Sequence, residues 1–183
     1  MSVTGELGYE IYVPTLHMAG LFEELKSVLK RYDGRLIGMY ALNSLRLEKS
    51  FGIWSREFSR DYSPNMAGLG RFIGYEKQSF VGREAALQDR DARPLRRLVT
   101  LSIDADQTDA TGYEPVHLGD TLVGYVTSGG YGHCVQESLA MGYVDSEVEL
   151  ESQEITVTLL GEPRGARFVE GALIDPDGLR MRS

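Results

Sequence analysis

The chain has 183 residues, 42% of them apolar and 25% charged, with a formal net charge of −8 at pH 7. These proportions belong to globular domains and exclude collagen, coiled coil and intrinsic disorder. An isoelectric point near 4.9 argues against nucleic acid or an anionic membrane as partner, since both need a basic face, and leaves any anionic ligand to be caught by local Arg or Lys.

Tyr9, Ile11 and Val13 alternate with Glu10 and Tyr12, which predicts a strand over 8–13 with one apolar face. Pro14 ends it, and Thr15 suits a helix cap. Met18, Leu21, Phe22, Leu25, Val28, Leu29 and Tyr32 recur at helical spacing, so Leu16–Arg31 reads as an amphipathic helix stopped near Asp33-Gly34. Tyr40–Lys49 reads as a second helix, closed by Gly52. Residues 51–77 mix aromatics, glycines, Arg56, Arg60 and Arg71 with weak periodicity, as expected of a loop with short strands. Ser79 suits the cap of a third helix through about Gln88.

The charged, proline-ended stretch Asp89–Pro94 reads as a boundary and divides the chain into residues 1–92 and 93–183. Beyond it the helical period vanishes. Arg97–Ile103 alternates, and Gly119-Asp120 between apolar pairs signals a hairpin. Val123–Thr127, Leu139–Val144, Ile155–Leu160 and Ala166–Ile174 supply further strands. The fold class is therefore α+β: an α+β part followed by a small antiparallel barrel or sandwich.

Searches for chemistry return little. His17, His117 and His133 lack metal-ligand spacing, so no metal site is expected. A single cysteine, Cys134, cannot form an intrachain disulfide and fits a structural role in a reducing, cytoplasmic setting. The opening residues lack the basic and apolar regions of a signal peptide, and no apolar run is long enough to span a membrane. Gly129-Gly130-Tyr131-Gly132 most simply makes a tight turn between strands. Glu10 alone is chemically suggestive. A strand-held carboxylate can accept two parallel N–H donors, as a guanidinium or the amino edge of a pterin offers; a solvated surface glutamate is the competing reading.

Larger pieces now fall into an order. Thr4–Tyr12 resembles the "YTGExGxEI" segment of the glycine-cleavage T-protein (aminomethyltransferase) family, and Ala41–Glu48 its "ARDSLRLE" segment. Ala67–Gly70 resembles "EAGL", and Phe80–Ala85 resembles "F-x-G-R-E-A". Gly124–Gly129 with Ala140–Val144 is similar to "G-x-VTSG…AMGYV" of the family's C-terminal β domain. The sequence Ala41–Lys49 followed by Trp54 is similar to the folate-binding C-terminal half of dimethylglycine and sarcosine dehydrogenases.

This resemblance implies a truncated folate-binding α+β domain followed by a T-protein-like β-barrel. It also implies tetrahydrofolate as ligand, a methylated amine as one-carbon donor, and FAD only in an upstream domain. The family's pterin-binding glutamate falls on Glu10, and Arg71 and Phe72 lie where an aromatic flanks the folate. Val3 and Leu42 replace a tyrosine and an arginine of the family pattern, and Asn43 replaces its aspartate. Arg46 matches an arginine expected to be structural and ion-paired. The family's acid–base aspartate has no counterpart here, so no catalytic residue is expected in this chain. The implied partner is the upstream half of the same protein, with this chain a fragment inactive alone. The alternative is a non-catalytic folate-binding or scaffold module with the same fold.

Overall fold

The computed structural model describes residues 2–149, 151 and 154–182; Met1 and Ser183, at the ends of the two expected spans, lie outside them. Among the described residues three helices, α1 (Thr15–Leu29), α2 (Met39–Glu48) and α3 (Arg83–Asp91), precede six strands. These are β1 (Arg96–Ile103), β2 (Pro115–Leu118), β3 (Thr121–Gly132), β4 (Glu137–Asp145), β5 (Ile155–Leu159) and β6 (Glu162–Val169).

The strands close an antiparallel barrel in the order β1-β4-β3-β2-β5-β6, with β6 pairing back onto β1. Closure removes both sheet edges, which decides between the barrel and sandwich readings. One face of each strand fills the interior: Leu101 and Ile103 of β1, Val123 and Val126 of β3, Ala140 and Val144 of β4, and Ile155, Val157 and Leu159 of β5. The other face of β4 is buried as well, because Leu139 and Met141 pack against Leu47 of α2. That two-sided burial explains why Leu139–Val144 is a continuous apolar run rather than an alternating one. The hairpin joining β2 to β3 turns at Gly119-Asp120, where Gly119 takes φ 56° at the first turn position.

Several local expectations differ. Residues 8–13 form no strand. Alternation specifies a face, but a strand exists only against a partner; just before the segment the chain is tied to Arg180, whose carbonyl accepts the Leu7 N–H at 3.1 Å and whose Nη1 donates to Glu6 Oε1 at 3.0 Å, with no ladder beyond. Thr15 does not cap α1; Pro14 holds the cap position and Thr15 is the first helical residue. Ser79 does not cap α3, which starts four residues later, after Gly82 in the left-handed conformation at φ 84°. Residues 51–77 hold one 3-10 turn (Gly70–Phe72) and one isolated bridge between Trp54 and Phe58. Strand β6 ends at Val169, short of Ile174.

Gly129–Gly132 is not a turn but the end of β3, and the chain reverses over His133–Gln136. The glycines serve close approach: a Cβ on Gly129 would sit 2.4 Å from the Ala110 carbonyl oxygen. Cys134 lies in that reversal rather than on a strand and is exposed. Its backbone N–H donates to Glu48 Oε1 at 2.6 Å, and hydrogen bonding to Glu48 pushes its thiol pKa up, so it is a poor nucleophile.

Candidate functional site

Three of the segments that resemble the family, Ala41–Glu48, Gly124–Gly129 and Ala140–Val144, meet at one buried joint with the loop after α2. Arg46, on the inner face of α2, is 1% exposed and Glu57 is fully buried. Arg46 Nη1 lies 3.3 Å from Glu57 Oε2. Burial pushes the Arg46 guanidinium pKa down, and Glu57 opposes that shift by stabilising the charged form.

The joint is satisfied on nearly every side, as a buried ion pair must be if it is not to destabilise the fold. Arg46 Nε and Nη2 donate to Asn43 Oδ1 at 2.9 and 2.7 Å, and Nη1 to the Phe51 carbonyl at 3.3 Å. Asn43 Nδ2 donates to the Gly129 carbonyl at 3.0 Å, linking α2 to β3. On the other partner, the Ile53 N–H donates to Glu57 Oε2 at 2.9 Å, and the Thr127 and Ser128 hydroxyls both donate to Oε1. Two consecutive strand residues reach one carboxylate because the register of β3 against β4 shifts between Val126 and Ser128. The Tyr143 hydroxyl donates to the Glu57 carbonyl at 2.9 Å. Arg46 is thus structural and ion-paired, as expected, whereas Glu57 was not anticipated. The signal that points to it is Arg46 itself, since a buried arginine needs a buried anion.

Beside the joint opens a cleft of about 410 Å³ that includes Arg56, Tyr62, Tyr113, Tyr125 and Thr127 in its lining. Tyr62 and Tyr125 share a hydrogen bond at 2.5 Å between their hydroxyls, and Tyr62 stacks on Tyr143 with ring centroids 3.7 Å apart. Burial raises the Tyr62 hydroxyl pKa, and the bond to Tyr125 raises it further, so the Tyr62 phenol stays protonated. Of the arginines in the 51–77 loop, Arg56 reaches this cleft, with Nη1 3.5 Å from the Thr127 carbonyl.

The three residues expected at the folate are solvent-facing. Glu10 is exposed, and its Oε2 accepts a hydrogen bond from the Tyr12 hydroxyl at 2.6 Å. That contact holds the Tyr12 pKa above its ordinary value. The Arg71 guanidinium lies over the Phe72 ring, 4.8 Å from its centroid. Among the described residues no hydrogen bond, ion pair or ring contact joins Glu10 to either, so the structure pairs Arg71 with Phe72 and leaves Glu10 apart. No group of His, Cys, Asp or Glu among the described residues is arranged to hold a metal ion. Nor is any helix there long and apolar enough to cross a membrane.

The helix that follows Glu10 in sequence carries an unsealed face. Helix α1 buries none of its residues, and Met18, Phe22, Leu25 and Val28 are all exposed. Tyr9, Ile11, Tyr12, Leu36 and Ile37 extend this apolar exposure on either side of the helix in sequence.

Comparison with known proteins matches two regions of the chain. Residues 1–77 match the GCVT N-terminal domain, and residues 96–175 match the glycine cleavage T-protein C-terminal barrel domain. Dimethylglycine dehydrogenase, mitochondrial, of Rattus norvegicus is 37% identical over 183 residues, covering 100% of this chain and 21% of the relative. The mitochondrial pyruvate dehydrogenase phosphatase regulatory subunit of Mus musculus is 31% identical over 86% of this chain and 19% of its own length. The crystal structure of glycine cleavage system aminomethyltransferase T from Bartonella henselae superposes with a TM-score of 0.82 at 28% identity, covering 96% of this chain and 48% of that one. The chain thus spans about a fifth of the dehydrogenase and about half of the aminomethyltransferase. With both matched regions in sequence, and a barrel joined to α2 through the shared segments, the chain belongs to the glycine cleavage T-protein family and is homologous to dimethylglycine dehydrogenase and the aminomethyltransferases.

Proposed function

We propose that this chain is the C-terminal part of a tetrahydrofolate-dependent one-carbon transferase of the dimethylglycine dehydrogenase type. The observation that carries the reading is the match to dimethylglycine dehydrogenase along the whole chain, from the segment holding Glu10 through the barrel. In this reading residues 1–92 are part of the folate domain and residues 93–183 are the barrel domain that braces it through Arg46 and Glu57. Glu10 accepts the pterin's paired N–H donors, and the ligand competes with the Tyr12 hydroxyl for that carboxylate. Arg71 over Phe72 offers a flat cationic and aromatic surface to a ring of the folate.

The one-carbon unit comes from a methylated amine and ends on tetrahydrofolate. The acid–base aspartate and any FAD belong to an upstream half of the same protein, so the residues described here act on the folate alone. That upstream half also covers the apolar face of α1, which this chain leaves in solvent. The cytoplasmic setting stays the reading from the single cysteine, although the mammalian dehydrogenase relative is named as mitochondrial.

A second reading has an observation of its own. A relative named as a regulatory subunit shares 31% identity over 86% of the chain, and Val3 and Leu42 stand at two positions where the T-protein pattern has ligand-contacting side chains. The same fold then serves as a folate-binding or scaffold module without chemistry. Turnover separates the two. Supplied with a methylated amine, tetrahydrofolate and an electron acceptor that reoxidises the upstream flavin, the intact protein should form methylenetetrahydrofolate. Folate binding with no one-carbon product would overturn the transferase reading in favour of the module.

A further inference from the structure

No step of the folate reading uses the cleft beside the Arg46–Glu57 joint, whose lining includes Arg56, Asp61, Tyr62, Tyr113 and Tyr125. It holds a cation and an anion that do not meet. Arg56 makes no ion pair among the described residues, and its one hydrogen bond is the 3.5 Å contact to the Thr127 carbonyl. Its guanidinium rests against bare backbone, since a Cβ on Gly112 would lie 3.1 Å from Arg56 Nη1. Glu57 is not available to it, because Arg46, the Ile53 N–H and the Thr127 and Ser128 hydroxyls already engage that carboxylate. After burial, the nearby charge of Arg56 also lowers the Arg46 pKa, so the two guanidinium groups repel. Asp61 accepts the Ser59 hydroxyl at 3.0 Å and has no cationic partner among the described residues.

The second observation is the backbone of Tyr113. It lies in the left-handed region at φ 72°, yet its side chain is 81% exposed. A bulky residue held there is strained, and among the described residues no hydrogen bond or ring contact of its side chain offsets the strain. The surrounding bonds enforce the conformation: the Gly112 N–H donates to Glu114 Oε2 at 2.7 Å, and the Tyr113 N–H donates to the Val126 carbonyl at 2.7 Å. Ser55, which precedes Arg56 in the same lining, is also left-handed at φ 71°. The turn thus presents an exposed aromatic ring at the cleft that holds the unpaired guanidinium, a placement the fold itself does not require.

We propose that this cleft binds a small betaine-type zwitterion, a carboxylate joined to a methylated ammonium. The carboxylate accepts the parallel N–H donors of Arg56. The methylated ammonium lies among the tyrosine rings, with Asp61 as its counter-charge. Methylation suits the site because the Tyr62 and Tyr125 hydroxyls are bonded to each other at 2.5 Å, which leaves the walls offering rings rather than free acceptors. A primary ammonium would bring N–H donors that need such acceptors. A dianion such as phosphate fits less well, because Asp61 opposes it. The volume of about 410 Å³ is within the range of small-molecule sites. None of these residues is assigned to the pterin, so the site stands independently of the folate reading.

The test is calorimetric titration of glycine betaine into the 183-residue chain, with the ring resonances of Tyr113 followed by NMR. Saturable one-to-one binding that shifts those resonances is expected. Arg56→Gln should weaken it about tenfold or more, the scale of a paired charged contact, with no loss of melting temperature because Arg56 is exposed and forms no ion pair. Tyr113→Gly should weaken it by about threefold to tenfold and hold or raise the melting temperature, since glycine adopts the left-handed backbone freely. Glycine, with the same carboxylate but an unmethylated ammonium, should bind about tenfold more weakly than betaine. Betaine binding left unchanged by either variant, glycine binding as tightly as betaine, or absence of saturable binding would overturn the site. A fall in the melting temperature of Tyr113→Gly would overturn it equally, by giving the strained ring a structural role.

Discussion

In the barrel, Leu101, Val116, Val126, Ala140, Val144 and Val157 are fully buried, whereas on α1 Phe22, Leu25 and Val28 remain 45%, 44% and 42% exposed. Both regions carry the apolar periodicity of their element. What separates them is whether a second surface exists to receive the apolar face. The barrel supplies its own by closing β6 on β1, and α2 borrows the outer face of β4. Helix α1 has neither. Amphipathic patterning therefore reports the face an element offers, and topology decides whether that face is sealed.

The largest effect is expected where α2 is sealed onto the barrel, the counterpart that α1 lacks. Glu57→Ala removes the anion from a fully buried Arg46 and should destabilise the protein by about 3–5 kcal/mol in urea unfolding. A loss under about 1 kcal/mol would mean the helical segment is not held by the joint. Measured on residues 1–183 alone, Leu101→Ala in the sealed core should cost about 2–5 kcal/mol, while Phe22→Ser on α1 should change stability by no more than about 0.5 kcal/mol. Equal losses from those two substitutions would contradict the contrast between a sealed and an unsealed face.

A smaller effect concerns the clamp between α2 and the C-terminal segment. Lys49 Nζ donates to the Asp175 carbonyl at 2.5 Å and lies 3.3 Å from its carboxylate. Burial acts to raise the Asp175 pKa, but N–H donors from Leu179 and Arg180, together with Lys49, outweigh it and hold the carboxyl below its ordinary 3.8. The unfolded chain therefore binds this proton first. The contribution is present above the ordinary value and fades as the pH falls through the lower folded value. Between pH 5 and pH 3 the wild type should lose more melting temperature than Asp175→Asn. Parallel losses would show that the clamp carries no pH-dependent stability.

Much of this architecture is legible in the sequence where a signal is local. The Gly119-Asp120 hairpin, the two longer helices and the alternating β1 follow from turn chemistry and periodicity. The failures share a cause, which is that the deciding partner is distant. Residues 8–13 alternate correctly yet have no strand to pair with. Gly129–Gly132 looks like a turn, but its glycines admit Ala110 at close range. Glu57 sits in a loop of weak pattern, and only Arg46, eleven residues earlier, and the Thr127-Ser128 pair on β3 reveal its role. Among the expected ligand residues, the Arg71 guanidinium lies over the Phe72 ring and the Tyr12 hydroxyl bonds to Glu10, two contacts that no periodic pattern reports.

The central claim is that the segment around Glu10 is the pterin-binding part of a folate domain. It is tested most directly by the affinity of the intact protein for tetrahydrofolate before and after Glu10→Ala. Loss of a carboxylate that accepts two N–H donors should weaken binding by about 2–4 kcal/mol, with stability unchanged because Glu10 is exposed. Tetrahydrofolate bound equally tightly by the variant would contradict the account.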